Sequence, residues 1–249
     1  MKPSIWILFA AMTAFAPAAS VAAEKPVSIV LVHGAFVDGS GWQAVFDTLS
    51  KDGYEVLVVQ NPTISLSGDV AATERVIAKA KHPVVLVGHS YGGMVITEAG
   101  DNPKVRSLVY VAAFAPDAGE SVASLAEQPV PAGESGAPLL PPSDGYLLVD
   151  PLKFPTAFAA DVDASITGFM AAAQVPWGLE AVKTPINKVA WKAKPSYFMV
   201  TTKDMMIPPT FQRAFAKRAG SVTTEIDSSH AVMLSHPKQV AAFIETADK

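Results

Sequence analysis

Ser90 is the residue whose surroundings most clearly indicate chemistry. It lies in the stretch Gly88-His89-Ser90-Tyr91-Gly92, with a glycine two positions before it and another two positions after it. This spacing is typical of a nucleophile elbow, a strand-to-helix turn so sharp that it exposes the serine hydroxyl at the edge of a sheet. We therefore interpret Ser90 as a nucleophile, although a glycine-rich turn with an incidental serine would have the same residues.

A serine hydroxyl becomes a good nucleophile when a base removes its proton, and a histidine base works best when a carboxylate orients it. In folds that carry a nucleophile elbow, the acid and then the histidine come after the serine along the chain, each of them following a later strand. Asp204 follows the apolar run 196–202, and His230 follows the run 221–226. These two residues are predicted to complete a Ser-Asp-His set with Ser90.

Other residues compete for these two roles. Asp117 follows an earlier predicted strand, and Asp227 lies close to the candidate histidine but at the end of its own strand. His236 is the rival base, although the proline after it is expected to open the last helix. A turn or capping role for Asp204, and an ordinary surface position for His230, are the alternative interpretations.

The same chemistry needs hydrogen-bond donors aimed at the oxyanion that develops on the attacked carbonyl group. The backbone N–H of Tyr91 is expected to be free at the start of the helix after the elbow, where the helix dipole favours negative charge. The second donor is predicted to be the N–H of Ala35, in preference to that of Phe36, in the glycine-rich loop 34–41. A simple connection between strand and helix is the alternative interpretation of that loop.

The composition argues against several other kinds of site. The 249-residue chain has a net charge of −4 and no block of basic residues, so nucleic acid is not an expected partner. It has no cysteine, and its five histidines show no metal-binding spacing, so we expect no metal ion. No dinucleotide fingerprint is present and no cofactor is expected. Nothing in the sequence points to a particular oligomeric state.

Apolar runs alternate with helical patterns along most of the chain, which predicts an α/β fold with a parallel sheet covered on both faces. The run before the elbow, 83–87, is apolar throughout, as expected for a strand buried on both faces. The other strands are predicted at 27–33, 54–60, 105–113, 196–202 and 221–226, and the helices at 42–50, 69–81, 94–102, 208–219 and 237–247.

The alternation stops between about residues 117 and 194, where prolines are dense. A structureless loop of this length would be abnormal in a compact domain, so this segment is interpreted as a small, mainly helical cap insertion. Short helices are predicted within it at 121–127, 154–161, 163–174 and 178–182. The residues predicted to line an apolar substrate pocket are Phe36, Phe169, Trp177 and Met205.

Residues 1–23 are interpreted as an export signal. Lys2 supplies a positive start, the apolar stretch 5–16 is too short to span a bilayer comfortably, and small residues precede a cleavage point at 23. The remaining residues, 24–249, are expected to form one domain without a stable membrane anchor. The protein is therefore predicted to be periplasmic or secreted.

The chain resembles the α/β-hydrolase superfamily, and within it the cofactor-free, esterase-like branch that contains plant methyl-ester esterases and hydroxynitrile lyases. The stretches that carry the resemblance are 33–42, 88–93, 203–204 and 229–231. The resemblance implies a catalytic triad of Ser90, Asp204 and His230, with oxyanion donors at Ala35 and Tyr91. It also implies a six-stranded, all-parallel sheet and a cap that sets substrate choice.

Two positions depart from the lyases of that branch. The lyases have a threonine where this chain has Gly34, and a lysine thought to stabilise cyanide where it has Ala231. The resemblance therefore favours a serine hydrolase that cleaves a small or medium carboxylic ester, its small-molecule substrate, through an acyl-enzyme. An amide or lactone hydrolase, a C–C lyase on the same site and a non-catalytic ligand-binding protein are the alternatives.

Overall fold

The computed structural model describes Met1 and residues 25–248. The predicted export signal falls outside these residues, apart from its first methionine, and it stays a prediction. Among the described residues, no helix combines the length and the apolar character that crossing a membrane requires.

Eight strands and ten α-helices make up the described chain. The strands are β1 (Ser28–Val32), β2 (Glu55–Val59), β3 (Val84–His89), β4 (Val105–Val111), β5 (Tyr146–Leu147), β6 (Trp177–Gly178), β7 (Ser196–Thr201) and β8 (Val222–Ile226). The helices are α1 (Gln43–Lys51), α2 (Leu66–Lys79), α3 (Gly92–Ala99), α4 (Val122–Ala126), α5 (Phe154–Phe158), α6 (Ala164–Ala172), α7 (Leu179–Lys183), α8 (Pro209–Arg218), α9 (Val232–Ser235) and α10 (Pro237–Glu245).

Six of the strands form one sheet in the order β2-β1-β3-β4-β7-β8, and every neighbouring pair is parallel. Every residue of β1 and β3 is buried, because helices cover both faces of the sheet. The prediction of a six-stranded, all-parallel sheet is confirmed. Because the strands run the same way, all of their carboxyl ends lie at one edge.

The two faces of β3 lead into two separate apolar layers. Val85 and Val87 pack with residues of α1 and α10, whereas Leu86 packs with residues of α2, α3 and α8. The helix boundaries follow local capping: α2 begins three residues earlier than predicted, because the Ser65 hydroxyl accepts the N–H of Gly68 at 3.2 Å. The elbow strand and its helix are therefore wedged between two well-packed layers.

The chain between β4 and β7, residues 112–195, is here called the cap segment. It contains α4 to α7 close to the four predicted positions, together with the short antiparallel pair β5–β6 that the sequence did not predict. Three hydrogen bonds tie it to loops at the carboxyl edge: Val175 N–H to the carbonyl of Phe36, Gly178 N–H to that of Thr63, and Ala231 N–H to that of Phe158. The cap segment therefore lies over the edge where the loops after β1, β2 and β8 meet.

The turn between β3 and α3 is crowded. A β-carbon on Gly88 would lie 2.6 Å from the carbonyl oxygen of Gly92, so only glycine fits at position 88 without displacing the backbone of the helix. The sequence requirement for a very small residue before the serine has this steric cause.

Gly88→Ala is expected to lower the free energy of unfolding by about 1–3 kcal/mol, because the added methyl group must push α3 away from β3. Gly168→Ala in α6 is the matched control, since its β-carbon would meet no atom within 4 Å. That variant is expected to be neutral or to gain up to about 1 kcal/mol from helix propensity. Urea unfolding measures both values, and equal stabilities would contradict the crowded turn.

Candidate active site

Ser90 lies at the carboxyl end of β3 in a backbone conformation that side chains rarely adopt, with φ of +55°. Such a conformation costs about 1–3 kcal/mol and persists only where the surroundings hold it. Here the Ser90 N–H donates to the carbonyl of Val111, and the Ser90 carbonyl accepts the N–H groups of Gly93 and Phe114. The side chain is 8% exposed and lines a cavity of about 430 Å³.

Asp204 and His230 meet through the loops that follow β7 and β8. Nδ1 of His230 lies 2.7 Å from Oδ2 of Asp204, and both side chains are fully buried. A carboxylate can only accept at this contact, so Nδ1 is the donor and Nε2 is the ring nitrogen left to act as a base. This is the tautomer that a general base needs.

Four further donors fix the carboxylate of Asp204. Thr201 Oγ1 and Gln212 Nε2 donate to Oδ2 at 2.9 and 2.8 Å, and the N–H groups of Met206 and Ile207 donate to Oδ1 at 2.7 and 2.9 Å. With its lone pairs occupied in this way, the carboxylate cannot rotate without breaking several bonds. The orientation that it imposes on the imidazole is therefore rigid.

The structure has no hydrogen bond between His230 and Ser90, the third residue of the predicted set. Nε2 of His230 is buried and has no hydrogen-bond partner within the described residues, so the Ser90 hydroxyl does not bond to it. His89, next to the serine, lies against the same histidine, with ring centroids 4.6 Å apart. Catalytic hydrogen bonds of this kind are often long until a substrate is bound.

The competing carboxylates bond elsewhere. Asp117 is ion-paired with Lys192, and Asp227 is ion-paired with Lys203 at the surface. Asp204 is therefore the carboxylate that bonds to His230. In the part of the chain that the structure describes, no group of three acidic or histidine side chains is arranged to hold a metal ion.

Three backbone amides near the serine are available as oxyanion donors. The N–H groups of Ala35, Phe36 and Tyr91 donate no hydrogen bond within residues 25–248. Ala35 lines the same cavity as Ser90, and Tyr91 is the N-cap residue of α3. The loop presses closely on the nucleophile, because a β-carbon on Gly34 would lie 2.6 Å from the β-carbon of Ser90. A threonine at position 34 would therefore require the loop to move.

The cavity at Ser90 is mainly apolar. Phe36 and Trp177 line it, with their rings edge to face at 5.5 Å, as the pocket prediction had them. The other two predicted pocket residues do not line it. Phe169 is 73% exposed and lies at a second hollow of about 240 Å³, and Met205 is 40% exposed and borders neither space.

Met206, the residue after Met205, lines the cavity instead. Its N–H donates to Oδ1 of Asp204 at 2.7 Å, so Met206 joins the cavity wall to the carboxylate. The cavity-lining residues that the sequence analysis did not name include Phe114, Leu125, Met206, Phe211 and Phe215. They were hidden because ordinary core residues have the same apolar character.

Asp69 is a buried acid that the sequence analysis also missed. It is fully buried and accepts hydrogen bonds from the Tyr91 hydroxyl at 2.7 Å and from the Thr63 N–H at 2.8 Å. Burial raises the pKa of Asp69, and burial together with this carboxylate raises the pKa of Tyr91 well above its usual value. The pair anchors the residue after the nucleophile to α2. From sequence, Asp69 has the pattern of an ordinary acid in the first turn of a helix.

Two buried histidines flank the nucleophile. Burial lowers the pKa of His33, and burial together with the neighbouring His230 lowers the pKa of His89 well below its usual value. Both rings are therefore neutral in the folded protein. Nδ1 of His33 donates to the carbonyl of Gly34 at 2.8 Å, and Nε2 of His89 donates to the carbonyl of His230 at 2.9 Å.

The free energy of unfolding is expected to fall as the pH is lowered from about 7 to about 5. The unfolded chain takes up protons on these histidines near pH 6.5, about the ordinary value, whereas the folded chain takes them up only at lower pH. Their contribution is fully present above about pH 6.5 and is lost as the pH falls through the lowered folded-state values. Urea unfolding between pH 5 and 8 measures this slope.

His89→Gln is the informative variant, because glutamine keeps an N–H donor for the carbonyl of His230 but does not titrate. The variant is expected to lower the pH dependence of the free energy of unfolding by an amount equal to the uptake of about one proton on unfolding. Slopes that are identical in the variant and the unaltered protein would contradict the buried, neutral state of His89.

Comparison with known proteins identifies the family of the chain. The sequence matches the alpha/beta hydrolase family over residues 29–243. A carbendazim-hydrolysing esterase of Nocardioides sp. (strain SG-4G) is 39% identical over 118 residues, which are 42% of this chain and 49% of that relative, so the match spans about half of its length. The alpha/beta hydrolase nvfD of Aspergillus novofumigatus (strain IBT 16806) is 27% identical over 246 residues, 90% of this chain and 96% of that protein.

Solved structures share the fold. A pyrethroid hydrolase from Sphingobium faniae JZ-2 superposes with a TM-score of 0.76 at 23% identity, covering 89% of this chain and 97% of that one. Polyneuridine aldehyde esterase gives a TM-score of 0.75 at 20% identity, covering 90% and 100% of the two chains. The resemblance to alpha/beta hydrolases inferred from the sequence is thus confirmed, and the chain belongs to the alpha/beta hydrolase family.

Proposed function

We propose that this chain is a serine hydrolase that cleaves small or medium carboxylic esters through an acyl-enzyme. One observation carries the proposal: a buried pair of His230 and Asp204 packs against the ring of His89, and the next residue, Ser90, is held on a strained turn in the wall of an apolar cavity. The esterase names of two relatives, one curated and one of known structure, support the choice of esters.

In the proposed acylation step, Ser90 Oγ attacks the ester carbonyl while Nε2 of His230 takes the hydroxyl proton. Asp204 stabilises the imidazolium ion that forms, through the bond at Nδ1. When the tetrahedral intermediate collapses, the bond from carbon to the alkoxy oxygen breaks. His230 returns its proton to that oxygen, and the alcohol leaves.

Deacylation repeats the sequence with water as the nucleophile. His230 takes a proton from water, the hydroxyl group adds to the acyl carbon, and the bond to Ser90 Oγ breaks as His230 returns the proton to the serine. The carboxylic acid is released and the enzyme returns to its starting state. A base that is rigidly oriented by Asp204 can serve both halves of this cycle.

The free amides of Ala35 and Tyr91 are the proposed donors to the oxyanion in both intermediates. Removing one such donor in a related kind of site typically costs about 100-fold to 1,000-fold in turnover. Position 231 favours hydrolysis over cyanohydrin cleavage. It is a fully buried alanine, so no ammonium group is present where the lyases carry one.

The cavity supports the proposed size class. Its volume of about 430 Å³ is at the lower end of the range usual for small-molecule sites, about 300–1,000 Å³, and its walls are mostly apolar. We also propose that the protein acts in the periplasm or outside the cell, because residues 1–23 have the composition of an export signal.

Ser90→Ala is expected to lower kcat for p-nitrophenyl butyrate by about a thousandfold or more, because the members of such a triad act as a unit. Ser67→Ala on the exposed face of α2 is the matched control and is expected to keep the full rate. A Ser90→Ala protein that hydrolyses the ester at the normal rate would refute the proposed nucleophile.

Ala137→Phe is expected to shift the preference toward shorter acyl chains, because Ala137 is half-buried in the cavity wall and a ring there would occupy part of its volume. The ratio of kcat/KM for p-nitrophenyl octanoate to that for p-nitrophenyl acetate should fall about tenfold or more. Ala132→Phe, at an exposed position outside the cavity, is the control. An unchanged ratio in Ala137→Phe would show that the cavity does not receive the acyl chain.

A further inference from the structure

We propose that Asp161 is a positioning residue: it holds the loop that carries His230 and thereby couples the cap segment to the chemical step. The inference rests on the proposed role of His230 as the general base. Asp161 lies three residues after the end of α5, far along the chain from the residues of the proposed triad.

The carboxylate of Asp161 accepts three hydrogen bonds from the two residues that precede His230. Oδ1 accepts the Ser229 hydroxyl, while Oδ2 accepts the Ser229 N–H at 3.1 Å and the Ser228 hydroxyl at 2.8 Å. A carboxylate that receives several donors from one short loop fixes its backbone and its side chains together. The loop after β8 therefore depends on the cap segment for its conformation.

The same stretch of the cap segment also holds the other side of the histidine. The carbonyl of Phe158 accepts the N–H of Ala231 at 2.9 Å, and the Phe158 ring lies edge-on to the His230 ring with centroids 4.9 Å apart. Residues 158–161 thus contact the residue before the histidine, its ring and the residue after it. A shift of this stretch would carry His230 with it.

The charge of Asp161 suits this role. Burial raises its pKa, but the hydrogen bonds from Ser229 and Ser228 outweigh burial and leave the pKa below its usual range. The group is therefore an acceptor-only carboxylate at neutral pH. The ring of His236 also faces the Asp161 carboxylate, with Nδ1 of the ring 3.8 Å from Oδ2.

The position of the histidine is what the nucleophile requires. Nε2 of His230 has no partner within the described residues, so the placement of the ring decides whether it can reach the Ser90 hydroxyl. A misplacement of about 1 Å can cost about 100-fold in rate. Asp204 sets the rotation of the ring from one side, and Asp161 sets the place of its backbone from the other.

Asp161→Ala, Ser229→Ala and the double variant test the inference, with Asp163→Ala as the matched control. Asp163 is in the same connection but caps α6 through the N–H of Ser165 and does not contact the loop. The measurements are kcat and KM for p-nitrophenyl butyrate, the rate at which a fluorophosphonate labels Ser90, and the melting temperature. Labelling reports on activation of the serine without requiring the ester to be bound.

Asp161→Ala is expected to lower kcat and the labelling rate at least about tenfold, with KM within about twofold of the unaltered value. Ser229→Ala should act in the same direction, and the double variant should be no slower than the slower single variant, because both changes remove one interaction. Asp163→Ala should leave kcat, KM and the labelling rate unchanged.

Unchanged kcat and labelling in Asp161→Ala, or additive losses in the double variant, would overturn the inference. A lower melting temperature with a normal kcat, calculated per active site counted with the fluorophosphonate, would also overturn it, since a merely structural role gives this result. If Asp161→Ala does not fold, Asp161→Asn, which presents a donor where Ser228 or Ser229 needs an acceptor, gives the same readouts. Full activity in Ser90→Ala would instead refute the proposed function, so the two failures are distinguishable.

Discussion

An imidazole and a carboxylate are expensive to bury, and the site depends on burying them together. Asp204 and His230 are both removed from solvent, and the bond between them, with the donors around Asp204, satisfies the carboxylate and Nδ1 of the ring, whereas Nε2 of the ring stays without a partner among the described residues. The pair forms only if the loops after β7 and β8 reach the same place. An all-parallel sheet ensures this, because adjacent parallel strands end at one edge.

The serine arrives at that edge by a different device. β3 ends in a turn so tight that Ser90 adopts a positive φ, and hydrogen bonds from β4 and the residues just beyond it hold the turn in place. The strain is confined to the backbone of Ser90, whereas the packing that holds this backbone in place involves both apolar layers of the sheet. The cap segment supplies part of the cavity wall and contacts three of the loops at this edge, so one stretch of chain both borders the cavity and touches the loop that carries His230.

The elements were predictable from sequence because their signals are local. Apolar and β-branched runs that alternate with helical patterns identified the six strands of the sheet, and glycine spacing identified Ser90. Asp204 and His230 could be named because a parallel sheet places residues after successive strands at one edge. The acid in the first turn of α2, Asp69, has a helix-terminal pattern from sequence, and only the folded chain places it against Tyr91.

Predictions failed where contact between distant segments decides the outcome. Met205 and Met206 have the same side chain, and only the folded chain shows that Met206 borders the cavity, whose other walls come from distant segments. Phe169 has the character of a pocket residue, yet α6 turns it toward solvent. The β5–β6 pair has two residues in each strand, too few for any periodic pattern. The contact of Asp161 with Ser228 and Ser229 spans more than sixty positions and leaves no mark in either stretch.

The apolar lining of the cavity bears on how a turnover would end. None of the residues that line it is a lysine or an arginine. A neutral ester loses little on entering such a chamber, but the acid that hydrolysis leaves behind ionises at neutral pH, and an unpaired anion is poorly solvated among phenylalanine and leucine side chains. In the proposed reaction, the walls that admit the ester would therefore also favour departure of the acid, and accumulated product would inhibit little.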